Sequence, residues 1–147
     1  MTLQKYKMKR EVAVSGEPDA VEKHQEAMRF VIQKHAASHL HYDFRLEMDG
    51  VLKSWAVPKG VPDTPGVRRL AVQVEDHPVD YLAFEGQIPD GSYGAGSVEL
   101  FDRGTYILEK HEPGKELLFT LRGNKYRGNF ALVHTTGKNW IILKRKG

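Results

Sequence analysis

From Leu40 to Met48 apolar and polar residues alternate without interruption, LHYDFRLEM. Successive side chains of a β-strand point to opposite faces. Leu40, Tyr42, Phe44, Leu46 and Met48 therefore share one face, and His39, His41, Asp43, Arg45 and Glu47 share the other. Asp49-Gly50 follows, a dipeptide suited to the two positive-φ positions of a type I′ hairpin, and residues 51–57 supply the returning strand. In that register Phe44 faces Trp55 on the apolar side, a favourable aromatic pair. On the polar side Arg45 faces Ser54 and Asp43 faces Ala56, small partners that leave room for a ligand. The hairpin predicts one core face and one cavity face.

The same pattern predicts strands over 29–34, 69–75, 97–102, 105–111, 117–122, 126–134 and 139–145. Asp102-Arg103-Gly104 and Arg122-Gly123-Asn124 read as further hairpin turns. Pro78 fixes the backbone after His77 and disfavours helix there. The glycine-rich run Phe84–Gly96, FEGQIPDGSYGAG, reads as a structured loop. Its GAG is followed by SVELFDRG, which alternates like a strand and opens no helix, so a dinucleotide fingerprint is excluded. Residues 1–27 are polar and lack a sustained period; Asp19 and Glu22 form a capping-box pattern that predicts a short helix over 20–27. Many short antiparallel strands with tight turns make the chain mainly β, a barrel or a strongly curved sandwich.

Composition narrows the chemistry. The 147 residues fit one domain, an extension over 1–27 and a β-domain over 28–147. The chain has no cysteine, so a metal must be held by His, Asp or Glu. No apolar run approaches the ~18 residues of a membrane span, and Met1-Thr-Leu-Gln-Lys lacks the apolar stretch of a signal peptide. A cytoplasmic protein with no membrane partner is the expectation. The net charge of +3 permits a polyanionic partner.

His35, His41 and Asp43 offer two nitrogen donors and a carboxylate, a set that suits a divalent metal with open coordination positions. Arg45 beside them suits an anion, phosphate above all. The competing reading is that these histidines are hydrogen-bonded structural residues. His39 shares the cavity face by parity and reads as a rim residue. A second cluster, VEDHPVDYLAFEG, holds Glu75, Asp76, His77, Asp80 and Tyr81; His77 suits a hydrogen bond or proton to a phosphate oxygen, or is a capped turn histidine. Lys59 and the pair Arg68-Arg69 add cations near strand ends. His24, His111 and His134 read as surface or structural, and Lys144-Arg145-Lys146 as a terminus with backbone-phosphate contact as the alternative. Three functions remain open on the residues. Metal-assisted phosphoester cleavage uses the whole set. A non-haem iron 2-oxoglutarate-type oxygenase would use His41, Asp43, His134 and Arg145. A non-catalytic nucleic-acid-binding barrel leaves the His/Asp cluster without a role.

Three runs carry a family likeness: FVIQKHAASHLHYDFRLEMDGVLKSWAVPKG, VEDHPVDYLAFEGQIPDGSYGAG and FTLRGNKYRGNFALVHT with NWIILK. They resemble the 3′-phosphoesterase module of ligase D-type end-joining DNA ligases, in its stand-alone archaeal-like form. The resemblance covers the chain from Met28 onward and, more loosely, KREVAVSGEP. It implies a small closed antiparallel β-barrel of about eight strands, here expected to surround a polar central cavity. It implies manganese-dependent removal of a 3′-terminal ribonucleoside from DNA or RNA, then of the remaining 3′-phosphate, acting on primer-template 3′ ends. His35, His41 and Asp43 would be the metal ligands. Arg45 and His77 would grip the scissile phosphate with help from Tyr81, and Lys59, Arg69 and Glu75 would support activity or order the pocket. Arg10 and Glu17 match N-terminal substrate contacts. His39, counted with the substrate contacts, stands where bacterial members usually carry arginine, and SGEP replaces a Thr-x-Glu-Pro run. A monomer working with a separately encoded ligase and polymerase or primase is the implied setting.

Overall fold

Asp49 and Gly50 adopt φ of 57° and 84°, the two positive values that a type I′ turn demands, so the first hairpin forms as expected. It joins β2 (Leu40–Met48) to β3 (Val51–Val57), with Phe44 opposite Trp55, Arg45 opposite Ser54 and Asp43 opposite Ala56. A computed structural model describes residues 28–88 and 96–146. The remaining strands are β1 (Met28–Ala36), β4 (Arg68–His77), β5 (Gly86–Ile88), β6 (Gly96–Glu112), β7 (Glu116–Gly123), β8 (Arg127–Thr136) and β9 (Asn139–Lys144). All pairings are antiparallel, in the order β1-β2-β3-β4-β9-β8-β7-β6-β5. A further β1–β6 pairing closes eight of these strands into a barrel, and β5 lies beside the start of β6. The expected helix over 20–27 and residues 89–95 of the expected loop lie outside the described residues. Among the described residues no helix is long and apolar enough to cross a membrane.

The barrel interior is apolar and largely aromatic. Phe30, Ile32, Phe44, Leu46, Trp55, Tyr106, Phe119, Phe130, Leu132 and Ile142 are buried there. Phe44 of β2 stacks on Phe119 of β7 with centroids 5.8 Å apart, so side chains from distant strands meet across the axis. Burial of a large apolar side chain stabilises by about 1.5–3 kcal/mol, and ten such groups dominate the fold. This corrects the expected polar central cavity. Alternate residues of β2 point in opposite directions; once Phe44 and Leu46 fill the axis, Asp43 and Arg45 must lie on the outer wall.

A second correction concerns Asp102-Arg103-Gly104, which is not a turn. The chain runs straight through it as β6, pairing with β1 over its first half and with β7 over its second. Asp102 accepts the backbone N–H groups of Asn124, Lys125 and Tyr126 at 2.9, 3.1 and 2.8 Å. A Cβ on Gly104 would lie 2.1 Å from the carbonyl oxygen of Arg122, so glycine there permits close strand approach. Near the expected turn at Arg122-Gly123-Asn124, the chain does reverse, between Gly123 and Arg127. After Pro78 a 3-10 turn, Val79–Ala83, carries Tyr81 over the outer face of β1 and β3. The proline leaves His77 extended at the end of β4 and still permits a turn to start behind it.

Candidate functional site

The β1–β2 register sets His35 opposite His41 and Gln33 opposite Asp43. His35 Nδ1 lies 3.3 Å from Asp43 Oδ2, and His41 Nε2 lies 3.2 Å from Asp43 Oδ1. One ligand atom from each of the three residues falls within 4.8 Å of the others, a spread that a single ion with bonds of ~2.0–2.2 Å can bridge. The chemistry of the donors agrees. His41 Nδ1 lies 3.1 Å from the carbonyl oxygen of His39, which can only accept, so Nδ1 carries a hydrogen. In neutral His41 the Nε2 lone pair then faces the Asp43 carboxylate, and a proton or cation between them is favoured. The hydrogen bond to Asp43 raises the His41 pKa against the effect of burial. Burial pushes the Asp43 carboxyl up, but the His41 hydrogen bond and the charge of Arg45 outweigh it and hold it below the ordinary value. Asp43 is therefore an anion at neutral pH.

Arg45 is built into the wall. Its Nε donates to Gln33 Oε1 at 2.7 Å, its Nη1 donates to Ser54 Oγ at 2.8 Å, and Nη2 lies 3.4 Å from Asp43 Oδ2. Ser54 passes its hydrogen to the Leu52 carbonyl at 3.0 Å. Gln33, fully buried, also donates from Nε2 to the carbonyls of Tyr81 and Phe84 at 2.9 and 3.0 Å. One amide thus ties the arginine to the 3-10 segment. The Arg45 guanidinium carbon sits 5.4 Å from the Tyr81 ring centre, and His77 meets that ring edge-on at 4.9 Å. His77 Nδ1 lies 3.0 Å from the Glu75 carbonyl, which fixes its hydrogen on Nδ1 and leaves Nε2 as the second nitrogen. Burial, then the charge of Arg45, holds the His77 pKa below its ordinary value.

His35, His41, Asp43, Arg45, His77 and Tyr81 therefore share one outer pocket, with Glu75 orienting His77 through its carbonyl. His39 is exposed at the rim and contributes its carbonyl to His41. Lys59 is exposed, and Arg69 points to the barrel end, where its Nη1 donates to the carbonyls of Lys59 and Gly60 at 2.8 and 3.0 Å. These two order the β3–β4 connection and do not enter the His/Asp cluster. Arg10 and Glu17 lie outside the described residues. The oxygenase set does not assemble: His134 Nε2 bonds the Gly137 carbonyl at 2.8 Å and Arg145 pairs with Glu109 at 2.5 Å, on the β6–β9 side of the barrel. Among the described residues, His35, His41 and Asp43 form the one potential metal-ligating group. Gln33 was not singled out from the sequence. Its parity with His35 was the available signal.

A small closed barrel with a His-His-Asp-Arg cluster on its outer wall is the class that fold and site define. The family model of the DNA ligase D 3′-phosphoesterase domain matches residues 33–134, and the chain belongs to that family. It is 48% identical over 155 residues to a multifunctional non-homologous end joining protein LigD of Pseudomonas aeruginosa, covering 98% of this chain and 18% of that protein. It is 50% identical over 128 residues to the protein of the same name from Mycolicibacterium smegmatis, covering 80% and 17% respectively. The chain thus spans under a fifth of the length of these relatives.

Proposed function

We propose that this chain is a divalent-metal-dependent phosphoesterase, best served by manganese, that heals the 3′ ends of DNA or RNA strands for end joining. In the first step water cleaves the bond from phosphorus to the terminal ribonucleoside, leaving a 3′-phosphate. In the second, water cleaves the phosphorus–O3′ bond, leaving a 3′-hydroxyl and inorganic phosphate. His35, His41 and Asp43 would hold the ion. When bound, it supplies positive charge at a phosphoryl oxygen. Arg45, already oriented by Gln33 and Ser54, offers its charge to the other oxygens without reorganising, the condition under which electrostatic stabilisation is most effective. His77 presents Nε2 toward the same pocket and is suited to a hydrogen bond with the phosphate or its leaving oxygen. The Tyr81 ring packs against both the arginine and the imidazole.

The convergence of three ligand atoms within 4.8 Å beside a buttressed arginine is the observation that supports this reading most. Its test is incubation of chelator-treated protein, with and without manganese, on two labelled primers, one ending in a ribonucleotide and one in a 3′-phosphate. Metal-restored shortening of the first and phosphate release from the second are expected, both abolished by His41→Ala. Turnover that persists in chelator, or in that variant, would refute the metal site. Binding of both primers without release under any metal would make the barrel a binding module.

A further inference from the structure

The closed register lays a row of arginines on the outer surface of the barrel, leading from the pocket strands around towards β8. Arg45 faces Val31 of β1, and Val31 faces Arg103 of β6. On the neighbouring rung Arg29 faces Thr105, Thr105 faces Arg122 of β7, and Arg122 faces Arg127 of β8. All of them alternate with interior residues such as Phe30, Tyr106, Leu121 and Phe130, so they point outward. Arg103, Arg122 and Arg127 are exposed, and among the described residues none is in an ion pair. Glu47, the acid on these rungs, is held through both oxygens by Arg29 at 2.8 and 2.6 Å. Arg127 makes one backbone bond, from Nη1 to the Gly123 carbonyl at 2.8 Å.

This arrangement is unfavourable for folding alone. Like charges directly opposite in a sheet destabilise it, and a glutamate at either position would relieve Arg122 and Arg127. On the other flank of the pocket, at the end of β4 and in the 3-10 turn, Glu75, Asp76 and Asp80 are exposed, with Asp76 paired with Lys53 at 3.1 Å. Arg103, Arg122 and Arg127, which have no acidic partner among the described residues, give the β6–β8 side a local attraction for a polyanion whose end enters the pocket.

We propose that Arg103, Arg122 and Arg127 form a phosphate track along which a nucleic-acid strand runs when its 3′ end is in the pocket. This rests on the phosphoesterase reading above. Four interstrand steps from β2 to β8 at ~4.8 Å each make the curved track at least about 19 Å long at the backbone, room for five or more nucleotides at ~3.4 Å each. Guanidinium forks bind phosphates in pairs of hydrogen bonds, and contacts confined to phosphates carry no base information, so the track is indifferent to sequence.

The test measures binding of the protein in chelator to a labelled twelve-base-pair duplex ending in a 3′-phosphate, across salt concentrations. The triple variant R103Q/R122Q/R127Q is expected to flatten the slope of log K against log salt by two to three, at about 0.9 per lost contact. With manganese its KM on the duplex should rise at least ~10-fold at unchanged kcat, the direction set by losing phosphate contacts outside the reacting centre. Turnover of a 3′-phosphorylated trinucleotide, too short for the track, should not change. The corresponding triple lysine variant should keep the slope. Should the triple glutamine protein melt early, R103Q/R122Q, which spares the Arg127–Gly123 bond, should still flatten the slope by one to two, on the same ~0.9 per contact. An unchanged slope in a folded glutamine variant would overturn the track. So would lost binding of poly-glutamate with the duplex slope intact, which would mark the row as a docking surface for an acidic protein. Because the slope is read in chelator, absence of metal-dependent turnover in the parent protein would refute the phosphoesterase reading alone.

Discussion

Asp43 holds two imidazoles and a guanidinium around one carboxylate, and its partners differ in what they tolerate. The histidines can share a cation with Asp43 in place of their direct contacts to it, whereas Arg45, 4% exposed, depends on a fixed set of acceptors. Arg45→Lys keeps the charge but cannot reach both Gln33 and Ser54 in the geometry of the planar fork. Turnover of a 3′-phosphate oligonucleotide by that variant should fall by about 10²–10³, the range for removing one preorganised charge stabiliser, with metal affinity retained. Steady-state kinetics and a manganese titration would check this; turnover within a few-fold of the parent would show that point charge alone suffices. His41, Asp43 and Arg45 were legible because a period of two places them on one face and their side chains carry chemistry by themselves, while His35 joins them from β1 through the strand register. Gln33 was not, because an amide at the end of FVIQ has no chemistry until Tyr81 and Phe84, about fifty residues later, bring their carbonyls to it.

At the scale of elements, the misread segment is the most instructive. Asp-x-Gly is good turn chemistry, and local propensity alone favours a reversal at Asp102–Gly104. Long-range demands override it. Asp102 serves the backbone of a different hairpin, and a Cβ on Gly123 would lie 2.4 Å from its Oδ2 and 2.6 Å from Phe30 Cζ. The carboxylate, the hairpin and the glycine form one unit that no single stretch of chain reveals. Asp102→Ala would leave three N–H groups without an acceptor where Tyr126 packs, one of them buried. At ~1–3 kcal/mol for an unsatisfied buried group and less for those that reach water, a loss of about 2–4 kcal/mol is expected. Thermal melts should show a drop on the order of 5–15 °C. The Gly104 and Gly123 positions should tolerate alanine no better. A melting temperature within a degree or two of the parent would show that water replaces the carboxylate at that hairpin.

For the whole molecule, alternation showed that each strand has two unlike faces but not which of them surrounds the axis. Volume decides it. Phe30, Phe44, Phe119, Phe130 and Tyr106 together need the enclosed space, while histidines and carboxylates need water, metal or substrate. With the core inside, two tyrosines at its edge place polar atoms where charge is disfavoured. Tyr106 donates to the Glu47 carbonyl and Tyr126 to the Val61 carbonyl, each at 2.7 Å. Burial pushes the Tyr126 phenol up to about 12 and that of Tyr106 higher still. Both folded values exceed the ordinary value of 10.0, so the unfolded chain releases these protons first. The stability they contribute is complete below about pH 10 and is lost as pH rises through the folded values. Denaturant melts of the parent should therefore hold level near pH 9 and weaken steadily above 10. Tyr126→Phe should lower stability at pH 8 by about 0.5–1.5 kcal/mol, the worth of one hydrogen bond, and make the alkaline decline shallower. A decline equally steep in Tyr126→Phe and in the double variant with Tyr106→Phe would assign it to the lysines and arginines of the outer wall instead of the rim of the core.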